Sequence, residues 1–149
     1  MKIVQYQKKY EKDFKKMSLN WIEKHFKVEP EDIRTLENIE NLINNGAMVL
    51  FVVEIEIVLS TCMIRPIMEG TWEIGKLATN DLYLGKGAGA KVFEACINYA
   101  KEHGANKIVL YSHTSLKPAI SIYEKFNFKE VPISNFEYKR CNYQAELKL

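Results

Sequence analysis

A mixed α/β fold, with helices on both faces of one sheet, is what this sequence predicts. Three observations carry that expectation. Apolar spacing alternates between strand-like and helix-like in the order β-α-α-β-β-β-α-β-α-β. The glycines of NDLYLGKGAGA (80–90) join a strand to a helix, and NKIVLYS (106–112) is apolar enough to sit mid-sheet with both faces covered.

The elements follow in chain order. KIVQY opens as a short strand, after which Tyr10, Phe14, Met17, Leu19, Trp21, Ile22 and Phe26 recur at helical spacing through residue 27, reading as one or two amphipathic helices. Pro30 suits the first turn of a helix over about 31–44, with Ile33, Leu36, Ile39, Leu42 and Ile43 on one face and NNG at 44–46 as the stop. AMVLFVVEIEIVLSTCMIRPI is rich in β-branched residues and long enough for a hairpin, although VEIEIV offers no Gly or Asn to mark the turn. TWEIGKLATN (71–80) reads as a further strand. From 87 to 103 an apolar stripe of Ala88, Val92, Phe93, Cys96, Ile97 and Ala100 marks a helix that Gly104 closes. SLKPAISIYEKFNF gives a short helix over about 118–126, and the tail FEYKRCNYQAELKL alternates enough to be a last strand.

Composition bounds the function. At 149 residues and 47% hydrophobic, the chain can bury a real core, so a single domain spanning 1–149 is expected. Its 21 basic and 19 acidic side chains leave a formal charge of +2, too balanced to point to nucleic acid or an anionic membrane as partner. Cys62, Cys96 and Cys141 are odd in number and lack CxxC spacing, which signals neither a disulfide framework nor a zinc site. His25 and His103 have no metal-spaced partners, so no metal is expected. The N-terminus turns charged at once, and AMVLFVV is too short for a signal core or a membrane span. A soluble, cytoplasmic protein with reduced thiols is the expectation.

A strand that runs through glycines into a helix is a generic anion site, because backbone N–H groups converge where side chains are missing and the helix dipole adds positive charge. The same glycines can serve tight turning and helix–strand packing instead. A nucleotide P-loop is excluded by the lack of Gly-Lys-Ser/Thr, and a dinucleotide fold is disfavoured because only one strand–glycine–helix unit is present.

LGKGAG (84–89) resembles the phosphate motif Gln/Arg-x-x-Gly-x-Gly/Ala of the GNAT superfamily of acyl-CoA-dependent N-acyltransferases, matching at both later glycines. KLATNDLYLGKGAGAKVFEACINYAKEHGANKIVLYS followed by AISIYEKFNFKEV is similar to that family's strand 4, helix 3, strand 5 and helix 4, with an Ala-x-x-x-Tyr-x-x-x-Gly-Phe ending, over about half of the chain. NWIEKHFKVEPED and EYKRCNYQAEL resemble a bacterial branch of the superfamily. The resemblance implies a mostly antiparallel mixed sheet of about six to seven strands, splayed between the fourth and fifth and flanked by about four helices. It implies acetyl-CoA as cofactor, its pyrophosphate wrapped at Leu84 to Ala90 by amides of Gly85, Lys86, Gly87, Ala88, Gly89 and Ala90, with Lys86 adding charge. Its pantetheine arm would enter the splay as a substitute strand against Leu77, Ala78 and Thr79. A monomer or homodimer acting on a small-molecule or peptide amine is implied as well.

The chemistry needs a base to take a proton from the ammonium and an acid for the leaving thiolate. The family often carries a glutamate eleven positions before the motif's first residue, which here lands on Glu73. Partial burial beside Trp72 and Ile74 would raise its pKa toward a useful value. Its other reading is a solvent-facing carboxylate or one paired with Lys76. Tyr123 occupies the family's tyrosine position, where a neutral phenol can protonate or hydrogen-bond the thiolate, and it can equally be a core tyrosine beside Ile120, Ile122 and Phe126. His113 reads as a surface histidine in a polar SHTS loop. The acceptor pocket is implied around Trp21, Glu23, Phe26, Glu29, Glu31 and Asp32 and parts of the tail such as Tyr138, Arg140 and Tyr143. Acid at 29–32 would suit a cationic amine, Arg34 or Arg140 would hold a carboxylate, and both are also explained as solvated charge.

Some positions depart from the pattern. Leu84 replaces Gln/Arg, Asn127 the usual glycine before Phe128, and Leu116 a frequent asparagine, while Glu56 and Ser60 fall where the central hairpin often has glycine. Two functions stay open at this level. One is N-acetyl transfer by direct attack of a primary amine in a ternary complex, with Glu73 or a water chain as base and Tyr123 as acid. The other is a catalytically weak acyl-CoA-binding sensor.

Overall fold

The computed structural model describes residues 1–134 and 138–149. Its elements are β1 (Lys2–Gln5), α1 (Glu11–His25), α2 (Pro30–Glu37), α3 (Ile39–Asn44), β2 (Met48–Glu54), β3 (Ile57–Met68), β4 (Thr71–Thr79), α4 (Ala88–Glu102), β5 (Lys107–Ser112), α5 (Lys117–Lys125), β6 (Lys129–Val131) and β7 (Tyr143–Lys148). One seven-stranded sheet runs in the order β1-β2-β3-β4-β5-β7-β6. Every neighbouring pair is antiparallel except β4–β5. The mixed, mostly antiparallel sheet expected from the sequence is therefore present.

Three elements differ from expectation. The single helix over 31–44 is two, because Asn38 (φ −99°, ψ 14°) leaves helical geometry between α2 and α3, and Asn is among the residues whose side chains compete with the helical backbone. Pro30 does open α2 as read. Strand β6 is only three residues long, too short for an alternation signal. The last strand covers Tyr143–Lys148, and Phe136 and Glu137 of the stretch read as that strand lie outside the described residues.

The apolar run of β2 has its cause in the layering. Leu50 and Val52 pack with Val92, Phe93, Cys96 and Ile97 of α4, whereas Val49, Phe51 and Val53 pack with Phe14 of α1, Leu36 of α2 and Ile39 of α3. Alternate residues of a strand face opposite sides, so a strand covered on both sides must be apolar throughout. Phe14 is fully enclosed, and truncating such a side chain to alanine costs about 3–5 kcal/mol.

The unmarked hairpin turn is real. Glu54 pairs with Ile57, leaving Ile55 and Glu56 as a two-residue connection with φ of 48° and 62°. Both sit in the left-handed region that Asn-Gly turns occupy without strain, and a β-branched residue there is an outlier. Replacing the pair by Ile55→Asn with Glu56→Gly should raise stability by about 1 kcal/mol, read as a higher urea midpoint at constant m-value. An unchanged or lower midpoint would show that the turn stores no strain.

Candidate active site

Strands β4 and β5 share a short register, Thr71 with Lys107 through Glu73 with Val109. Beyond it they separate, and a cleft of about 330 Å³ opens between Ile74–Thr79 on one side and Tyr111–His113 on the other. A bulge in β4 accompanies the separation. Gly75 pairs with Met63 and Ala78 with Thr61, so Lys76 and Leu77 together stand against Cys62, and Lys76 takes φ 52°. Such an insertion bends and twists its strand, which turns β4 away from β5. Leu77, Ala78 and Thr79 line the cleft from this edge, and among the described residues no strand covers it there.

The glycine turn closes one end. Asn80 holds its entry by donating to the Val58 carbonyl (3.3 Å) and accepting from the Leu82 N–H (3.1 Å). Gly85 and Gly87 have φ of 79° and 80°, and a Cβ on either would meet nothing within 4 Å. Conformation rather than packing therefore selects glycine at these two positions. Gly89 is the packing case, since its Cβ would come within 3.1 Å of Thr79 Oγ1. Gly87 precedes α4 without any side-chain cap, so the first N–H groups of a 15-residue helix are left for another acceptor. Ser60 pins that helix start by donating to the Ala88 carbonyl at 2.8 Å. Leu84 and Gly89 line the cleft and bracket Gly85, Lys86, Gly87 and Ala88, with Ala90 following in the first turn of α4 and Lys86 Nζ lying 5.7 Å from the Tyr83 ring centre.

Tyr123 and Glu73 both line the cleft. Tyr123 is buried against Phe93, and its hydroxyl donates to Ser112 Oγ at 3.3 Å. Burial pushes its pKa up to about 12, with the Ser112 hydrogen bond pulling the other way, so the phenol stays protonated at neutral pH. Asn127 takes φ 69° after α5, the conformation for which a glycine is the usual solution. Glu73 is not paired with Lys76. Its cross-strand partner Arg65 donates to Oε1 from Nη2 (2.9 Å) and Nε (3.2 Å). His113, read as a surface residue, is partly exposed and also lines the cleft, with Nδ1 accepting from the Ser115 N–H at 3.0 Å and its ring centre 5.6 Å from that of Phe26.

Of the acid at 29–32, Glu29 and Asp32 are held in ion pairs rather than solvated. Asp32 is fully buried and takes Lys76 Nζ at 2.7 Å, Arg140 Nη1 and Nη2 at 2.7 Å each, and the Glu29 N–H at 2.9 Å. Glu29 in turn accepts from Arg140 Nη1 at 3.3 Å and from the Lys139 N–H at 2.9 Å. Both carboxylates are thus engaged with cations, which removes them as a ready site for a cationic amine. Arg34 pairs with Glu31 on the surface, while Arg140 lines the cleft beside Tyr138. Lys76 and Asp32 had no local signal as partners, being 44 positions apart.

Burial alone would push the Asp32 carboxyl up, but hydrogen bonds from Arg140 and Lys76 win and hold it at about 2, below its ordinary 3.8. A depressed carboxyl stabilises the fold above its unfolded pKa and loses that contribution as pH falls toward the folded value. Asp32→Asn should therefore cost about 3–5 kcal/mol at pH 7, since it strands the enclosed Lys76 ammonium and leaves Arg140 with Glu29 alone. The difference from the parent Tm should shrink between pH 4 and pH 2, and a difference independent of pH would contradict the assignment.

No curated protein matches the chain by sequence. Solved structures match in fold. An acetyltransferase of the GNAT family from Staphylococcus aureus Mu50 superposes with a TM-score of 0.88 at 19% identity, covering 99% of this chain and 98% of that one. The ribosomal-protein-alanine N-acetyltransferase of Brucella melitensis gives 0.84 at 15% identity over 100% of both chains. The PaiA N-acetyltransferase of Thermoplasma acidophilum, in complex with coenzyme A, gives 0.76 at 16% identity over 100% of both. The family model for Acetyltransferase (GNAT) family matches residues 14–128, a stretch that contains most of α1, the bulged β4, the glycine turn and Tyr123. Splayed strands, glycine turn and family model converge on one assignment: the chain belongs to the GNAT acetyltransferase family.

Proposed function

We propose that this chain transfers an acetyl group from acetyl-coenzyme A to a primary amine, by direct attack within the cleft between β4 and β5. The observation that carries this reading is the uncovered edge of β4 followed, through the glycine turn, by the uncapped start of α4. Backbone groups of Leu77, Ala78 and Thr79 are the partners for an extended arm, and the amides of 85–90 those for a diphosphate. Fit is supported at the turn, where Gly85 and Gly87 leave the space a Cβ would take open. Acetyl-coenzyme A, when bound, supplies a thioester whose C–S bond gives way to the C–N bond of the amide, the amine's proton ending on the released thiol.

The chain's own groups handle orientation and protons. Tyr123 lines the cleft with a hydroxyl that stays protonated at neutral pH, and it is the donor there. Glu73 offers carboxylate oxygens on the β4 wall, oriented by Arg65, and accepts the proton of an incoming ammonium directly or through water. Positioning supplies much of the rate, so neither group is indispensable.

Calorimetry with coenzyme A, followed by thiol release from acetyl-coenzyme A over a panel of amines, tests the reading. Tyr123→Phe should lower kcat by about 10²-fold while leaving coenzyme affinity unchanged; an unaltered kcat would remove the phenol from proton transfer. Gly87→Val, which forces a branched side chain into left-handed backbone, should abolish coenzyme binding in a protein that still shows a cooperative thermal transition. Coenzyme binding without turnover of any amine would favour a sensor over an enzyme.

A further inference from the structure

Among the described residues the cleft is lined by four cationic side chains, Lys24, Arg65, Lys76 and Arg140, and by two carboxylates, Glu73 and Asp81. Glu73 is engaged by Arg65 and Asp81 by Lys24 at 3.2 Å. That leaves Lys76 and Arg140, and their counter-ions Asp32 and Glu29 stand behind the wall rather than on it. Asp32, one carboxylate, is shared between both cations. Burial first, and then the charge of Arg140, push the Lys76 ammonium pKa down against the pull of Asp32. This corner of the cleft is short of negative charge on its open side.

Its surroundings are aromatic. The Arg140 guanidinium lies 4.6 Å from the Tyr138 ring centre and 5.9 Å from that of Phe26, and Trp21 stands 6.2 Å from Phe26. A second, independent feature points to a ligand. Ser18 of α1 lines the same cleft at 2% exposure, and its hydroxyl has no hydrogen-bond partner. A helical serine normally bonds the carbonyl four residues back or water, so a buried orphan hydroxyl is a group that a bound molecule can complete.

Resting on the acetyl-transfer reading, we propose that the acceptor is an amine that also bears a carboxylate, held by Lys76 and Arg140 against the aromatic wall of Trp21, Phe26 and Tyr138. A carboxylate there approaches the two cations from the cleft side, opposite Asp32 and Glu29, and meets a guanidinium suited to planar anions. A polyamine meets the opposite, two cations and carboxylates already engaged. The amino end lies toward Glu73 and the acidic end toward the 138–141 segment.

The test compares matched acceptors on the intact chain with saturating acetyl-coenzyme A: phenylalanine with its amide, 6-aminohexanoate with its amide, glycyl-phenylalanine with its amide, and spermidine. The carboxylate members should show about tenfold or greater advantage in kcat/KM. Arg140→Lys, which keeps the charge on Asp32 but loses the fork, should reduce that advantage to about threefold or less through KM, with coenzyme affinity unchanged. Ser18→Ala, which removes an unpartnered group and leaves the fold intact, should raise KM for the carboxylate members alone and serves if Arg140→Lys does not fold. Equal use of both members, or preference for amides or spermidine, would overturn the proposal, whereas binding of acetyl-coenzyme A with no turnover of any acceptor would overturn the acetyl-transfer reading beneath it. Failure to bind acetyl-coenzyme A would overturn that reading as well.

Discussion

Two strands that pair for three residues and then part determine the functional shape of this molecule. Backbone N–H and C=O groups in a protein interior need partners, so an uncovered strand edge inside a sheet is costly unless something occupies it. Here the edge belongs to β4, and a bulge with Lys76 in left-handed conformation marks the point where the strand turns away. The same strand delivers the chain to the glycine turn and the open N-terminus of α4. The uncovered edge, the glycine turn and the helix start thereby lie on one stretch of chain.

The other side of the cleft is organised by buried charge. Asp32 joins α2, the β4 bulge and the 138–141 segment through Lys76 and Arg140. Burying such ions gives little net stability compared with an apolar core, but breaking one leaves the others uncompensated. The cluster is thus better understood as fixing the geometry of this wall of the cleft than as strengthening the fold.

How much of this was legible in the sequence varied with the range of the interaction. Glycines 85 and 87 were readable because left-handed backbone demands them locally, and Asn127 for the same reason. The β2–β3 turn carried no mark, since Ile55 and Glu56 adopt a conformation that their residue types do not favour and only the paired strands enforce. Glu73 shows how proximity along the chain misleads. Lys76 is three positions away but separated by the bulge, whereas Arg65 lies directly across the hairpin. The Asp32–Arg140 pair spans 108 positions, and no periodicity or local motif encodes a contact of that range.

Amide hydrogen exchange with and without coenzyme A addresses the central constraint most directly. The account predicts slowed exchange at residues 77–79 and 85–90 on adding the coenzyme, with β2, paired on both sides by β1 and β3, unchanged. Exchange that stays fast at both segments while coenzyme is bound, or protection that falls elsewhere in the chain, would contradict it.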